Sequence, residues 1–262
     1  MPRAVTIDIL DELAARGRTT ITAAELQEML GRSPQATSNL ASRWVREGFV
    51  DRVAPGRYAL RTLGNLGTSA ASEDVALAVG ALLASEPHRI AYKTALDYHG
   101  LIVHPVKRIQ VATDRRVQVR RLSGRTLQVV REPAKTIRIG AEQAAAGAWV
   151  SGHERALLDA AARVDLVDGV AVLAEALHAR PGNAERLREL AVELDLMAAL
   201  RRIGSLADVL DAPALAGVLE RPNRGGIIWL DPDDELVSVW RDRRWGVDWN
   251  RSPDEIVAMT RT

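Results

Sequence analysis

The amino-acid sequence predicts an α+β protein of two domains, and three observations support this prediction. Of the 262 residues, 47% are hydrophobic, which excludes a disordered chain and allows a sizeable core. Helical periodicity and then a hairpin pattern occupy residues 1–66, and a stretch rich in Gly, Ser and Thr follows. Strand and helix patterns are mixed in the remainder. We therefore predict a domain at 1–66 and a larger mixed α+β domain at 67–262.

Three helices are predicted before residue 48. The first covers Val5–Gly17, where apolar residues recur at helical spacing. Thr22-Ala-Ala-Glu25 is a capping box, so the second helix begins there and ends before Gly31. Ser33 provides an N-cap oxygen and the following proline suits the first helical position, so the third helix runs from this point to about Glu47.

A short hairpin follows these helices. Phe49–Val53 and Arg57–Leu60 alternate like two strands, and Pro55-Gly56 forms the turn between them. Two helices joined by a tight turn and followed by a hairpin make a winged helix-turn-helix, a shape that fits DNA.

The third helix carries the candidate DNA contacts. Its apolar residues, among them Ala36, Leu40 and Trp44, are predicted to face the core, and the opposite face has no carboxylate before Glu47. An ordinary solvated face mixes Glu with Lys, whereas base edges and phosphates accept hydroxyl, amide and guanidinium groups. We predict base contacts from Gln35, Ser38, Asn39 and Arg43, backbone or groove-wall contacts from Ser33, Thr37, Ser42 and Arg46, and wing contacts from Arg52 and Arg57. The alternative is a polar helix in a domain that contacts protein.

The net charge of +1 hides a strong segregation. Residues 101–140 contain ten Lys or Arg and only two acids, whereas residues 141–262 contain fourteen Arg and twenty-one acids. Such patches allow contact with nucleic acid and with a basic partner, or they neutralise each other inside the fold. Both interpretations stay open.

The second domain has no internal repeat. Helices are predicted at 72–85, 94–98, 154–164, 170–179, 184–199 and 206–210, strands at 109–113, 117–120, 127–131 and 136–140, and a hairpin between 227–230 and 236–240. The basic residues of 101–140 alternate along the strands, which predicts a sheet with one basic face. Trp229, Trp240, Trp245 and Trp249 are expected in the core of the last sheet, or else as exposed anchors for a partner.

Several classes of chemistry are not expected. The chain has no cysteine, which excludes disulfides and thiolate catalysis. Ser151, His153, Glu154 and Asp159 do not match a nucleophile elbow, and the five histidines lack a metal-ligand spacing. No apolar run approaches the roughly 20 residues of a membrane span. We therefore expect a cytoplasmic protein that is not an enzyme and has no metal, cofactor or membrane partner.

Four blocks of this sequence resemble the AbiEi family of antitoxins and transcriptional regulators. Gly48–Tyr58 is similar to the family's wing, and Ala91–Leu101 to the start of its second domain. Val150–Asp159 resembles its S-x-x-E-R-T-L-L-D signature, with Ala156 where Thr is common, and Arg244–Asn250 resembles its closing R-W-x-V-x-x-N pattern. The resemblance covers nearly the whole chain.

This resemblance implies a DNA-binding antitoxin of an abortive-infection-like toxin–antitoxin operon. The first domain would bind inverted repeats of its own promoter and repress it. The second would counteract a nucleotidyltransferase-like toxin, with or without direct contact. One helix-turn-helix covers only a half-site, so two copies would pair on the double-stranded DNA.

Two other functions stay open. One is a ligand-responsive transcriptional regulator whose C-terminal domain senses a small molecule. The other is an enzyme fused to a DNA-targeting domain.

Overall fold

The structure is a computed structural model that describes residues 9, 12, 13, 20–47, 49–60, 71–83, 85–103, 106–122, 125–216, 219–221 and 225–260. Two units follow from the contacts. Unit 1 contains Met1–His88, Lys107–Arg131 and Gln143–Trp149, and unit 2 contains Arg89–Val106, Glu132–Glu142 and Val150–Thr262. The boundary predicted near residue 67 lies outside the described residues, as does most of the predicted first helix, of which residues 9, 12 and 13 are helical.

The elements of the first half alternate between short strands and helices. They are β1 (Thr20–Thr22), α1 (Ala23–Leu30), α2 (Pro34–Glu47), β2 (Val50–Ala54), β3 (Arg57–Leu60), α3 (Ala71–Leu83), β4 (His88–Ile90), α4 (Tyr92–Tyr98), β5 (Arg108–Thr113), β6 (Arg121–Leu122) and β7 (Arg125–Arg131).

The second half is mainly helical. It contains α5 (Ala134–Ile137), β8 (Ala141–Gln143), a 3-10 turn (Ala145–Gly147), β9 (Trp149–Ser151), α6 (His153–Ala162), a second 3-10 turn (Val164–Val167), α7 (Val170–Ala179), α8 (Ala184–Glu193), α9 (Met197–Val209), β10 (Ile228–Trp229), β11 (Trp240–Asp242), β12 (Val247–Trp249) and α10 (Pro253–Met259). The α+β class predicted from the sequence is confirmed.

The helix-turn-helix of unit 1 begins at the predicted capping box. The Thr22 side chain accepts from the Glu25 backbone N–H at 3.1 Å, and the Glu25 carboxylate accepts from the Thr22 N–H at 2.7 Å. Gly31 ends α1 in the left-handed conformation at φ 58°, where a residue without Cβ is favoured. The strands lie in the order β1-β3-β2, so β1 completes a three-stranded wing sheet.

One hydrophobic cluster joins this sheet to both helices. Trp44 of α2 is fully buried against residues from α1 and all three strands, among them Leu26, Val50 and Tyr58. Burying an indole of this size is a major stabilising contribution to a small domain. The core therefore fixes the orientation of α2 relative to the wing.

Unit 1 also contains three strands in the order β6-β7-β5. β5 and β7 are parallel, with Arg108 opposite Thr126, and β6 is antiparallel to β7, with Arg121 opposite the same Thr126. Directly paired residues point to one face, so Arg121, Thr126 and Arg108 form an exposed row. The next row on this face consists of Gln110 and Gln128, and it is more buried. Gln110 is 4% exposed, and its amide donates to Gln128 at 3.1 Å. The strand predicted at 117–120 is wrong. The observed strand in this region is β6, which contains only Arg121 and Leu122.

Unit 2 departs from the sequence prediction at two further points. Residues 136–140 do not form a strand, because Pro133 begins the short helix α5 and Gly140, at φ 66°, turns the chain after it. The helix predicted over 184–199 is two helices, α8 and α9, since Asp195 takes the left-handed conformation between them.

The predicted hairpin near the C-terminus is wrong. The strands lie in the order β10-β12-β11, with β10 parallel and β11 antiparallel to β12. β12 takes the central place because Val247 and Trp249 are fully buried. Trp245 is also fully buried, whereas Trp240 is 38% exposed. The Trp240 and Trp249 rings pack edge to face, with their centroids 5.1 Å apart.

Candidate nucleic-acid interface

The face of α2 opposite the core is polar and exposed. Ser33 precedes the helix, and its hydroxyl accepts from the Ala36 N–H at 3.4 Å, in the predicted capping position. The predicted contact residues that are exposed on this side are Ser33, Gln35, Ser38, Asn39, Ser42 and Arg46, and Arg43 is half-buried beside them. No carboxylate precedes Glu47 in this helix. The face therefore offers hydrogen-bonding groups and positive charge without a repelling anion in its first three turns.

Thr37 does not lie on that face, so the groove contact predicted for it is wrong. It is 1% exposed, and its hydroxyl donates to the Ser33 carbonyl at 3.1 Å. The core side of α2 is set by Leu40 and Trp44, and a residue three positions before Leu40 falls on the same side. Ala36, predicted in the core, is half-buried instead.

Two side-chain pairs order the exposed face. The Gln35 amide donates to the Asn39 Oδ1 at 3.3 Å, so two amide side chains one helical turn apart are held together. Arg43 Nε lies 3.6 Å from the Glu47 carboxylate, and the two side chains are 32% and 42% exposed. A partly exposed pair of this kind contributes at most about 1 kcal/mol.

The wing is held close to α1. Gly56 turns the chain between β2 and β3 at φ 69°, and its carbonyl accepts from the Ala23 N–H at 2.7 Å. This bond satisfies an N-terminal N–H of α1 that has no partner within the helix. Arg52 on β2 is exposed. The wing tip is thus fixed at the start of the helix-turn-helix.

Arg57 has a different position from the one predicted for a phosphate contact. Its guanidinium Nη1 donates to the carbonyls of Ala81 and Leu82, in the last turn of α3. A cation is favoured at this end of a helix, where carbonyls lack partners within the helix. Arg57 therefore anchors the wing to α3, and Arg52 is the wing cation that points to solvent.

The order of elements in residues 20–60 is that of a winged helix, and the comparison with known families agrees. Residues 1–57 match the MarR family. The chain carries a MarR-family winged helix-turn-helix domain at its N-terminus. This MarR domain identifies the protein as a DNA-binding transcriptional regulator, and the prediction of a DNA-binding domain is confirmed at that level.

Nearly the whole chain is similar in fold to a solved structure. The crystal structure of the RV2827C protein from Mycobacterium tuberculosis matches with a TM-score of 0.61 and 21% sequence identity, and the match covers 97% of this chain and 92% of that one. At this identity the likeness concerns the fold. No curated protein matches the chain.

Two of the residues that suggested catalysis, Ser151 and Asp159, belong to a buried ionic cluster in unit 2, whereas the Glu154 carboxylate accepts from the Asn183 N–H at 3.0 Å. Asp159 accepts from Arg155 Nε at 2.7 Å, from Arg89 Nη2 at 3.0 Å and from the Ser151 hydroxyl at 2.9 Å. The Glu132 carboxylate accepts from the same two guanidinium groups, of Arg89 and Arg155, and from the Tyr92 hydroxyl at 2.7 Å. The fully buried Ser151 hydroxyl contacts an acid and a guanidinium, and the neighbouring imidazole of His99 lies 2.6 Å from the Ser151 backbone carbonyl and not at its hydroxyl.

The two positive charges of this cluster, on Arg89 and Arg155, are matched by the two negative charges of Asp159 and Glu132. Burial opposes the charge of Arg89, but the carboxylates of Asp159 and Glu132 outweigh it and raise the pKa of that guanidinium. Burial and the same carboxylates raise the pKa of the Tyr92 phenol, which therefore stays protonated and donates. The sequence indicated Ser151 and Asp159 but not Arg89 and Glu132, since an isolated arginine or glutamate carries no pattern.

His153 is likewise used in a structural bond. Its Nε2 lies 2.9 Å from the Arg180 carbonyl, and its ring stacks on His99 with centroids 6.2 Å apart. Burial lowers the pKa of His153. Within the part of the chain that the structure describes, no group of three His, Asp or Glu could hold a metal ion, and no helix is long and apolar enough to cross a membrane.

Proposed function

We propose that this regulator is the autorepressing antitoxin of a toxin–antitoxin operon and acts on a nucleotidyltransferase-like toxin. The observation that supports the repressor half is the exposed face of α2, which presents amides, hydroxyls and arginines without a carboxylate before Glu47. The antitoxin half rests on the four blocks that resemble AbiEi proteins in order and spacing.

The structure gives those blocks a role in folding. Ser151, Arg155 and Asp159 of the third block form the buried ionic cluster. Trp245 and Trp249 of the last block are fully buried. The residues of the third and last blocks thus belong to the buried parts of unit 2, which supports a shared architecture with the AbiEi family.

The DNA-binding half is tested by affinity for the DNA upstream of the gene. In this proposal two copies bind an inverted repeat, with one α2 in each major groove. Asn39→Ala removes a base contact and should cost about 1–3 kcal/mol on the operator only. Arg46→Ala removes a phosphate contact and should weaken binding to every sequence, with a salt dependence flatter by about one unit of slope.

A matched control is available in unit 2. Arg186 of α8 is also an exposed helical arginine, and it pairs with Glu189 at 3.0 Å. Arg186→Ala should leave affinity and salt dependence unchanged. If it weakens binding as much as Arg46→Ala, the surface on α2 is not the interface.

The antitoxin half is tested separately by co-expression with the neighbouring gene. The full-length Asn39→Ala/Arg46→Ala variant should still rescue growth from the toxin, because it loses only DNA binding. Failure of the wild-type chain to rescue growth contradicts the antitoxin half and leaves the regulator half standing.

A further inference from the structure

Two arginines of unit 2 converge on one point of the backbone. A Cβ placed on Gly246 would lie 2.5 Å from Arg201 Nη2 and 2.8 Å from Arg221 Nη2. A Cβ on Gly225 would lie 2.9 Å from Arg201 Nη1. Both glycines have positive φ, +64° and +128°. A side chain at either glycine would therefore collide with a guanidinium group, and at Gly246 it would collide with both.

Arg201 is buried without a counter-ion. It is 3% exposed, and its guanidinium donates to the carbonyls of Trp245 at 2.7 Å and Gly246 at 2.6 Å. Neither carbonyl carries a full charge, and Nη1 has no acceptor among the described residues. Burial and the nearby charge of Arg221 lower the pKa of Arg201. A buried cation beside another cation is costly unless an anion compensates it.

Arg221 lacks an acidic partner as well. Its Nη1 donates to the Arg243 carbonyl at 3.3 Å, and among the described residues it forms no ion pair. The remaining guanidinium donors are accessible, because this side chain is exposed.

The carboxylates of the surrounding segment already have partners. Asp208 accepts from Arg244 at 2.9 Å and from the Trp245 indole at 2.8 Å. Asp242 accepts from the Ser205 hydroxyl and the Trp245 N–H, and Asp248 accepts from Arg241. The positive charge of Arg201 and Arg221 is therefore not neutralised by these acids.

We infer that Arg201 and Arg221 form a binding site for a phosphoryl oxyanion, either free phosphate or the phosphate of a small metabolite. Two guanidinium groups that meet at one backbone position suit a tetrahedral anion with several acceptor oxygens better than a planar carboxylate. The absence of a Cβ at Gly225 and Gly246 lets the guanidinium groups pack closely against the backbone. Such a site would make unit 2 responsive to a small molecule, and it does not depend on operator binding or on the toxin.

The test is thermal unfolding of the full chain, without DNA, in 10 mM inorganic phosphate against sodium chloride of equal ionic strength. A site with a Kd of about 1 mM would raise the Tm by roughly 3–5 °C. Arg221→Gln should abolish this rise without unfolding the protein, since the side chain is exposed. A general salting effect of phosphate would persist in that variant.

Two further variants locate the effect. Arg186→Gln controls for the loss of any exposed arginine of unit 2, and Arg46→Ala controls for phosphate bound on the DNA-binding face; both should keep the full rise. A wild-type chain that does not respond to phosphate, or an Arg221→Gln variant that responds fully, overturns the assignment.

A second arm identifies the source of the phosphate. Half-saturation by adenosine monophosphate at more than tenfold lower concentration than inorganic phosphate indicates a nucleotide. Equal half-saturation indicates the free ion. Both outcomes support the site when Arg221→Gln abolishes them.

Discussion

Asp159→Asn tests the buried ionic cluster of unit 2. The native carboxylate accepts three hydrogen bonds, from Arg155, Arg89 and Ser151, and every one of these side chains is at most 4% exposed. Asparagine keeps the shape but removes the charge, and its amide nitrogen replaces an acceptor with a donor that faces other donors. Two buried guanidinium groups would then share Glu132 alone.

The expected loss is large. Breaking a buried ion pair by removing one partner costs about 3–5 kcal/mol, because an uncompensated charge is left inside. Domains are commonly stable by only about 5–15 kcal/mol, so this is a substantial fraction of the total. Urea unfolding followed by far-ultraviolet circular dichroism measures the loss as a shift of the midpoint at constant slope.

Asp165→Asn is the matched control. Asp165 pairs with Arg163 through two bonds of 2.8 and 2.7 Å, but its side chain is 34% exposed. Solvent screens such a pair, so a loss below about 1 kcal/mol is expected. If Asp159→Asn costs no more than this control, the cluster does not stabilise unit 2 and the reasoning is refuted.

Three other predictions concern the cap, the wing and pH. Thr22→Ala removes the capping box of α1 and should cost about 1 kcal/mol in urea unfolding; no loss would contradict the observed cap. Arg57→Ala should weaken DNA binding by releasing the wing from α3, yet keep the salt slope that Arg46→Ala flattens; a slope reduced by a full unit would make Arg57 a phosphate contact. Because burial lowers the pKa of His153, the unfolded chain binds the proton more readily, so stability should fall as pH decreases below about 6.5. His153→Gln should remove that part of the pH dependence, and an unchanged pH profile would contradict it.

Local signals predicted the helix-turn-helix well. Ser33 and the proline after it start α2, and Thr22 starts α1, because caps act within four residues of the chain. The helix predicted at 170–179 is observed as Val170–Ala179 for the same reason: its apolar periodicity is local. The buried position of Thr37 was missed, since Ala36 and Thr37 are equally compatible with the core side of a helix.

Long-range partners could not be predicted in this way. Arg57 meets α3 across 24 residues, and Arg89 meets Asp159 across 70, and neither arginine belongs to a periodic pattern. The order β10-β12-β11 depends on which strand is buried on both faces. That strand is β12, and its three residues are too few for a sequence pattern to show that it lies in the centre. Arg201 and Arg221 became a candidate site only when the fold brought them to Gly246.

The central claim is that α2 reads a sequence in the promoter of its own gene. Fluorescence anisotropy of the full chain on labelled upstream DNA and on a scrambled duplex, at physiological salt, tests it directly. We predict at least about a thousandfold preference for the upstream DNA, and we predict that Asn39→Ala reduces this preference while Arg186→Ala does not. Equal affinity of the wild-type chain for both duplexes would contradict the account.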